Sequence, residues 1–85
     1  MGLRDVPMEL SELLVALRST EGLSAKGKTQ STFYIGSKPF MHFHDGPAGL
    51  EADVKWVDTF ERVPVGTAAQ QKDLLRDVRA HLASR

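Results

Sequence analysis

Phe40-Met41-His42-Phe43-His44, a break at Asp45-Gly46-Pro47-Ala48-Gly49, and then Leu50-Glu51-Ala52-Asp53-Val54-Lys55-Trp56 decide the fold of this 85-residue chain. The second run alternates apolar and charged residues with period two, the mark of a strand with one buried and one wet face. The first run is rich in aromatic residues and the break between them is a turn signal, so the two pair as an antiparallel hairpin. Burial sets their register, because a slip of one residue turns every side chain over. Phe43 opposite Ala52 and Met41 opposite Val54 bring four apolar residues to one face. The same register puts His42 opposite Asp53 and His44 opposite Glu51 on the other face, with Tyr34 nearby and Phe40 beside Lys55.

Working outward, Ser31 to Ile35 is a further strand, set off from Phe40 by the turn residues Gly36-Ser37-Lys38-Pro39. Strands are therefore expected at about 31–35, 40–45 and 50–57, and a fourth at about 60–64 would be confined to an edge by Pro64. Before the sheet, Leu10, Leu13, Leu14 and Leu17 recur at helical spacing and predict a helix over about 7–20. Asp5 or Val6 would cap it, Pro7 fits its first turn, and Gly22 can close it in the left-handed conformation. After the sheet, Thr67 and Gln70 form a T-x-x-Q capping box ahead of Leu74, Leu75, Val78 and Leu82, which predicts a helix over about 68–83. The expected architecture is α+β: an N-terminal helix, an antiparallel meander of three or four strands, and a C-terminal helix. Both helices pack on one sheet face, where Phe33, Ile35, Met41, Phe43, Ala52 and Val54 point at them.

Composition bounds the function. The chain is short enough that one hydrophobic core, and so one domain over residues 1–85, is the only sensible reading. It has no cysteine, which removes disulfides, thiolate metal sites and thiol catalysis. Eleven basic and eleven acidic residues cancel, so no global field steers it toward nucleic acid or anionic lipid. No apolar run is long enough to span a bilayer and the first residues lack a secretory pattern, so a cytoplasmic location is expected. Charge is nonetheless distributed unevenly. Lys26, Lys28 and Lys38 are the fixed charges between Gly22 and His44, whereas Asp45, Glu51, Asp53, Asp58 and Glu61 stand against Lys55 alone over the next stretch.

Two patterns suggest chemistry. Gly22-Leu23-Ser24-Ala25-Lys26-Gly27-Lys28-Thr29 matches the phosphate-binding G-x-x-x-x-G-K-T motif letter for letter. That motif works only where a strand leads in and a helix leads out, so that backbone N–H groups face the phosphates. Here a helix leads in and a strand leads out, and Gly22, Gly27, Lys28 and Thr29 are read as a basic loop. The second pattern is His42-Phe43-His44, which sets two imidazoles on one face of a strand, a spacing metal sites use, with Asp53 or Glu51 as a third ligand. The sequence alone shows neither an enclosing wall nor a second shell around them.

The run Phe33-Tyr34-Ile35-Gly36-Ser37-Lys38-Pro39-Phe40-Met41-His42-Phe43-His44, followed by the alternation from Leu50 to Val57, resembles a segment of small bacterial proteins of the MmcQ/YjbR type. Those also carry an aromatic strand, a Gly-x-Lys turn, a Phe-containing strand and a C-terminal helix, and a similar layout occurs in bacterial domains labelled luciferase-like. The resemblance implies an α+β domain, and DNA binding as proposed for that group.

The leading expectation is a non-enzymatic binding or interaction module that uses the open sheet face, with Tyr34, Phe40, His42, His44, Glu51, Asp53 and Lys55 on it, and a second copy or another protein as partner. No catalytic residue and no cofactor is assigned. The rival readings are a small metal-dependent or acid/base enzyme built on His42, His44 and Asp53, and DNA binding through Lys26, Lys28 and Lys38.

Overall fold

The computed structural model describes residues 7–28, 30–47 and 49–84. A 3-10 turn, Met8–Leu10, runs into helix α1, Ser11–Arg18. Strands β1 (Ser24–Lys26), β2 (Thr32–Ile35), β3 (Lys38–Gly46), β4 (Gly49–Lys55) and β5 (Phe60–Pro64) follow, and helix α2 (Ala68–Ala83) closes the chain. The strands form one antiparallel sheet in sequence order. The α+β class and the helix–meander–helix order are as the sequence reading has them, with one more strand. No helix among the described residues is long and apolar enough to cross a membrane.

α1 forms where the leucine stripe lies. Leu10, Leu13, Leu14 and Leu17 are all buried, and the chain leaves the helix through Gly22 at φ +98°, a conformation that residues with a Cβ rarely adopt. Asp5 and Val6, the expected caps, lie outside the described residues. Pro7 precedes the 3-10 turn, accepting a hydrogen bond from Leu10 N at 3.0 Å. α2 begins as its capping box dictates: Gln70 N donates to Thr67 Oγ1 and Thr67 N donates to Gln70 Oε1, both at 3.1 Å. Gln71, one residue on, donates to Glu9 O at 2.8 Å and to Val65 O at 2.9 Å, tying α2 to both the N-terminal turn and the end of the sheet.

Both helices lie on one side of the sheet. Leu74 and Val78 of α2 and the α1 leucines share a core with Phe33, Met41, Phe43, Ala52, Val54 and Val65. Ile35, Trp56, Leu75 and Leu82 pack partly buried at its margin. The hairpin register is the one burial demands: Met41 pairs with Val54, His42 with Asp53, Phe43 with Ala52 and His44 with Glu51. β5 extends the pattern, pairing Asp53 with Arg62 and Lys55 with Phe60.

Two findings correct the sequence reading. The segment taken as a basic loop contains β1, whose Ser24, Ala25 and Lys26 pair with Tyr34, Phe33 and Thr32. Three residues with one small apolar side chain show no periodicity, so only pairing with β2 makes them a strand. That pairing commits the backbone of Ser24 to Lys26 to the sheet edge. Thr29 of that motif lies outside the described residues.

The second correction concerns Phe40, expected on the outer face beside Lys55. Pairing between β2 and β3 passes from Phe33↔Met41 to Tyr34↔Pro39, so Phe40 is the extra residue of a β-bulge. The bulge resets the alternation, and Phe40 and Met41, adjacent in the chain, both point inward. Phe40 is 3% exposed, edge-on to Trp56 at 5.8 Å between ring centroids and stacked on His81 of α2 at 5.3 Å. The aromatic residue across from Lys55 is instead Phe60, 46% exposed, with Lys55 Nζ 5.9 Å from its ring centroid.

The two phenylalanines should therefore respond oppositely to truncation. Phe40→Ala is expected to cost about 3 kcal/mol or more in urea denaturation, as a buried aromatic does, and Phe60→Ala less than about 1 kcal/mol. Equal costs would contradict the bulge.

Candidate metal and ligand site on the outer sheet face

The outer face carries Ser24 and Lys26 from β1, Thr32 and Tyr34 from β2, His42 and His44 from β3, Glu51, Asp53 and Lys55 from β4, and Phe60 and Arg62 from β5. At its centre β3 and β4 bring two imidazoles over two carboxylates. His42 Nε2 lies 3.2 Å from Asp53 Oδ2, and His44 Nε2 lies 3.2 Å from Asp53 Oδ1. One ligand atom from each of His42, His44 and Asp53 falls within 4.8 Å of the others. The side chains are largely covered for a surface cluster, His44 being 16% exposed. Neighbouring strands provide that cover. Phe60 of β5 packs its ring 5.5 Å from that of His42, and the two imidazoles lie 5.8 Å apart.

A second shell is present. His44 Nδ1 is 3.3 Å from Asp45 O, and since a carbonyl can only accept, Nδ1 carries the proton of that bond. Glu51 Oε1 stands 3.9 Å from the same Nδ1. The carboxylate reaches there because Gly46 has no side chain: a Cβ at Gly46 would overlap Glu51 Oε1. With Nδ1 protonated, a neutral His44 turns the lone pair of Nε2 toward the site. Among the described residues, both His44 Nε2 and Glu51 Oε1 are buried without a hydrogen-bond partner. Asp53 Oδ1, though close to Nε2, lies off the line along which a ring N–H would point.

Arg62 completes the cluster and was not foreseen from the sequence. Its Nε lies 3.5 Å from Asp53 Oδ1 and 3.6 Å from Glu51 Oε1, on an arm that is 60% exposed. Alternation carried through 60–64 would have placed Arg62 across from Asp53, but that needs β5 paired to β4, which Pro64 and the short run did not establish. Two carboxylates and two imidazoles thus share one guanidinium.

The other expected residues are dispersed. Tyr34 lies on the outer face toward the β1 edge, where Lys26 Nζ sits 4.5 Å over its ring, and Lys55 lies beside Phe60. Lys26 pairs with the first residue of β2 and Lys38 with the last, so the proposed lysine patch is split between the two ends of that strand. The third histidine, His81, stacks on Phe40 on the helix side of the sheet and takes no part in the cluster.

The cluster alters the titration of Asp53. Partial burial pushes its carboxyl up, but the contact with His44 and its charge, the charge of His42 and the Arg62 contact together outweigh burial and hold it below the ordinary 3.8. A depressed carboxyl stabilises the fold above its unfolded-state value and loses that contribution as pH falls through its folded-state value. Stability is therefore expected to decline as pH drops through and below about 4, and Asp53→Asn to flatten that part of the profile in acid-denaturation curves.

No protein-family model matches this chain, and no curated protein or solved structure is similar enough to it to carry an inference, so the site stands on its own geometry.

Proposed function

We propose that the protein is a non-enzymatic binding module that takes its ligand on the outer face of the sheet, at the cluster of His42, His44 and Asp53. The observation that carries this reading is the buried Nε2 of His44, which has no hydrogen-bond partner among the described residues and faces a group of polar side chains on the side of the sheet that neither helix covers. Buried polar atoms nearly always have a partner, and on an uncovered face a ligand atom is able to supply one.

The face is open, which favours binding over catalysis. An acid/base catalyst needs a concave site that holds its substrate against the catalytic groups and excludes water. One recess of about 350 Å³, lined by Lys38, Phe40, Trp56 and His81, lies at the far end of the sheet, and another of about 510 Å³ takes in Asp45 and Glu51, but neither is bordered by His42, His44 or Asp53.

A ligand site and a structural element differ in what their loss does to the fold. The double variant His42→Thr with His44→Thr keeps residues suited to a strand and removes both imidazoles. It is expected to change unfolding free energy by less than about 1 kcal/mol, whereas Phe43→Ala between them costs about 3–5 kcal/mol. A loss of about 2 kcal/mol or more in the double variant would make the cluster a stabilising network and end the binding reading.

A further inference from the structure

Resting on that reading of the outer face, we infer that its ligand is a divalent transition-metal ion of the zinc or nickel type, held by His42 Nε2, His44 Nε2 and Asp53.

The donor set selects the ion class. Two imidazole nitrogens and one carboxylate suit zinc, nickel, copper or cobalt, while magnesium and calcium want six or more oxygen ligands. The spacing is near that of such a site. Donors about 2.0–2.1 Å from a tetrahedral ion lie about 3.3 Å from one another. His42 Nε2 stands 3.2 Å from Asp53 Oδ2 and His44 Nε2 3.2 Å from Oδ1, and one donor atom from each of the three residues falls within 4.8 Å of the others, so a small side-chain adjustment closes the set around an ion. In such a site the neighbouring ligand atom sits to one side of each nitrogen lone pair, because the ion occupies the lone-pair direction. That is the relation of Asp53 Oδ1 to His44 Nε2, close but off the axis of a hydrogen bond.

His44 is also held as metal-binding histidines are. Its Nδ1–H donates to Asp45 O with the Glu51 carboxylate behind it, which fixes the tautomer that leaves Nε2 free to coordinate. Metal ligation takes imidazoles in the neutral form, and in that form two carboxylates stand against one guanidinium, a balance that accepts a further cation. Three protein ligands on an open face leave the outermost coordination position to water or to a group on a partner.

The test is titration of zinc ion into the full chain, followed by calorimetry and by NMR of the imidazole nitrogens. One ion per chain is expected, with the Nε2 signals of His42 and His44 moving together while those of His81, on the other side of the sheet, stay in place. Magnesium should move none of them. Asp53→Asn and His44→Thr, each checked to fold by its amide spectrum, should weaken zinc binding about tenfold or more and abolish the zinc-dependent rise in melting temperature. Absence of any shift at millimolar zinc, or equal shifts at all three histidines, overturns the metal assignment. Failure here is distinguishable from failure of the outer-face reading, because the stability of the double histidine variant contains no metal and decides the latter alone.

Discussion

Pairing of Phe43 with Ala52 and of Met41 with Val54 is the constraint from which the rest of this molecule follows. Those four side chains fill the space between the sheet and the leucines of α1, and they can do so in only one register. Once they are inside, strand geometry leaves no choice for their neighbours. His42, His44, Glu51 and Asp53 must project to the opposite face, opposite one another. The candidate site is thus a by-product of core packing, and its geometry is as rigid as the hairpin that carries it.

Irregularity does the remaining positioning. The bulge at Phe40 breaks the alternation at one end of β3, sending an aromatic ring into the core against Trp56 and His81. Without it Phe40 would lie outside, beside the imidazoles, and Phe60 would lose its place as the cluster's aromatic neighbour. Pro39 sits next to the bulge, where its missing N–H is tolerated. At the other end of β3, Gly46 makes room for the Glu51 side chain to reach His44. A residue with a Cβ there would push the carboxylate away and remove half of the second shell.

Electrostatically the outer face is an unusual use of a small sheet. Bringing two carboxylates and two imidazoles together under partial cover costs desolvation, seen in the upward push that burial exerts on Asp53. The contacts with His44, His42 and Arg62 more than offset it, yet His44 Nε2 and Glu51 Oε1 have no hydrogen-bond partner among the described residues. A cluster selected only for stability would be expected to close those valences, as buried polar groups elsewhere do. Departures of that kind concentrate where a protein meets something else.

Sequence alone was sufficient wherever a repeat or a local motif carries the information. The leucine spacing placed α1, the T-x-x-Q box placed the start of α2, and period-two alternation with a burial requirement gave the β3–β4 register and so the facing of His42 toward Asp53. What the tertiary structure decided are features with no local signature. β1 is a strand only because β2 offers it an edge, Phe40 is buried because a bulge shifted its phase, and Arg62 reaches Asp53 because β5 pairs with β4. His44 turns Nε2 toward Asp53 while its other ring nitrogen meets the backbone carbonyl of Asp45. Each depends on contacts between segments whose separation in the chain hides them, and short-range pattern cannot encode a partner that only folding brings near.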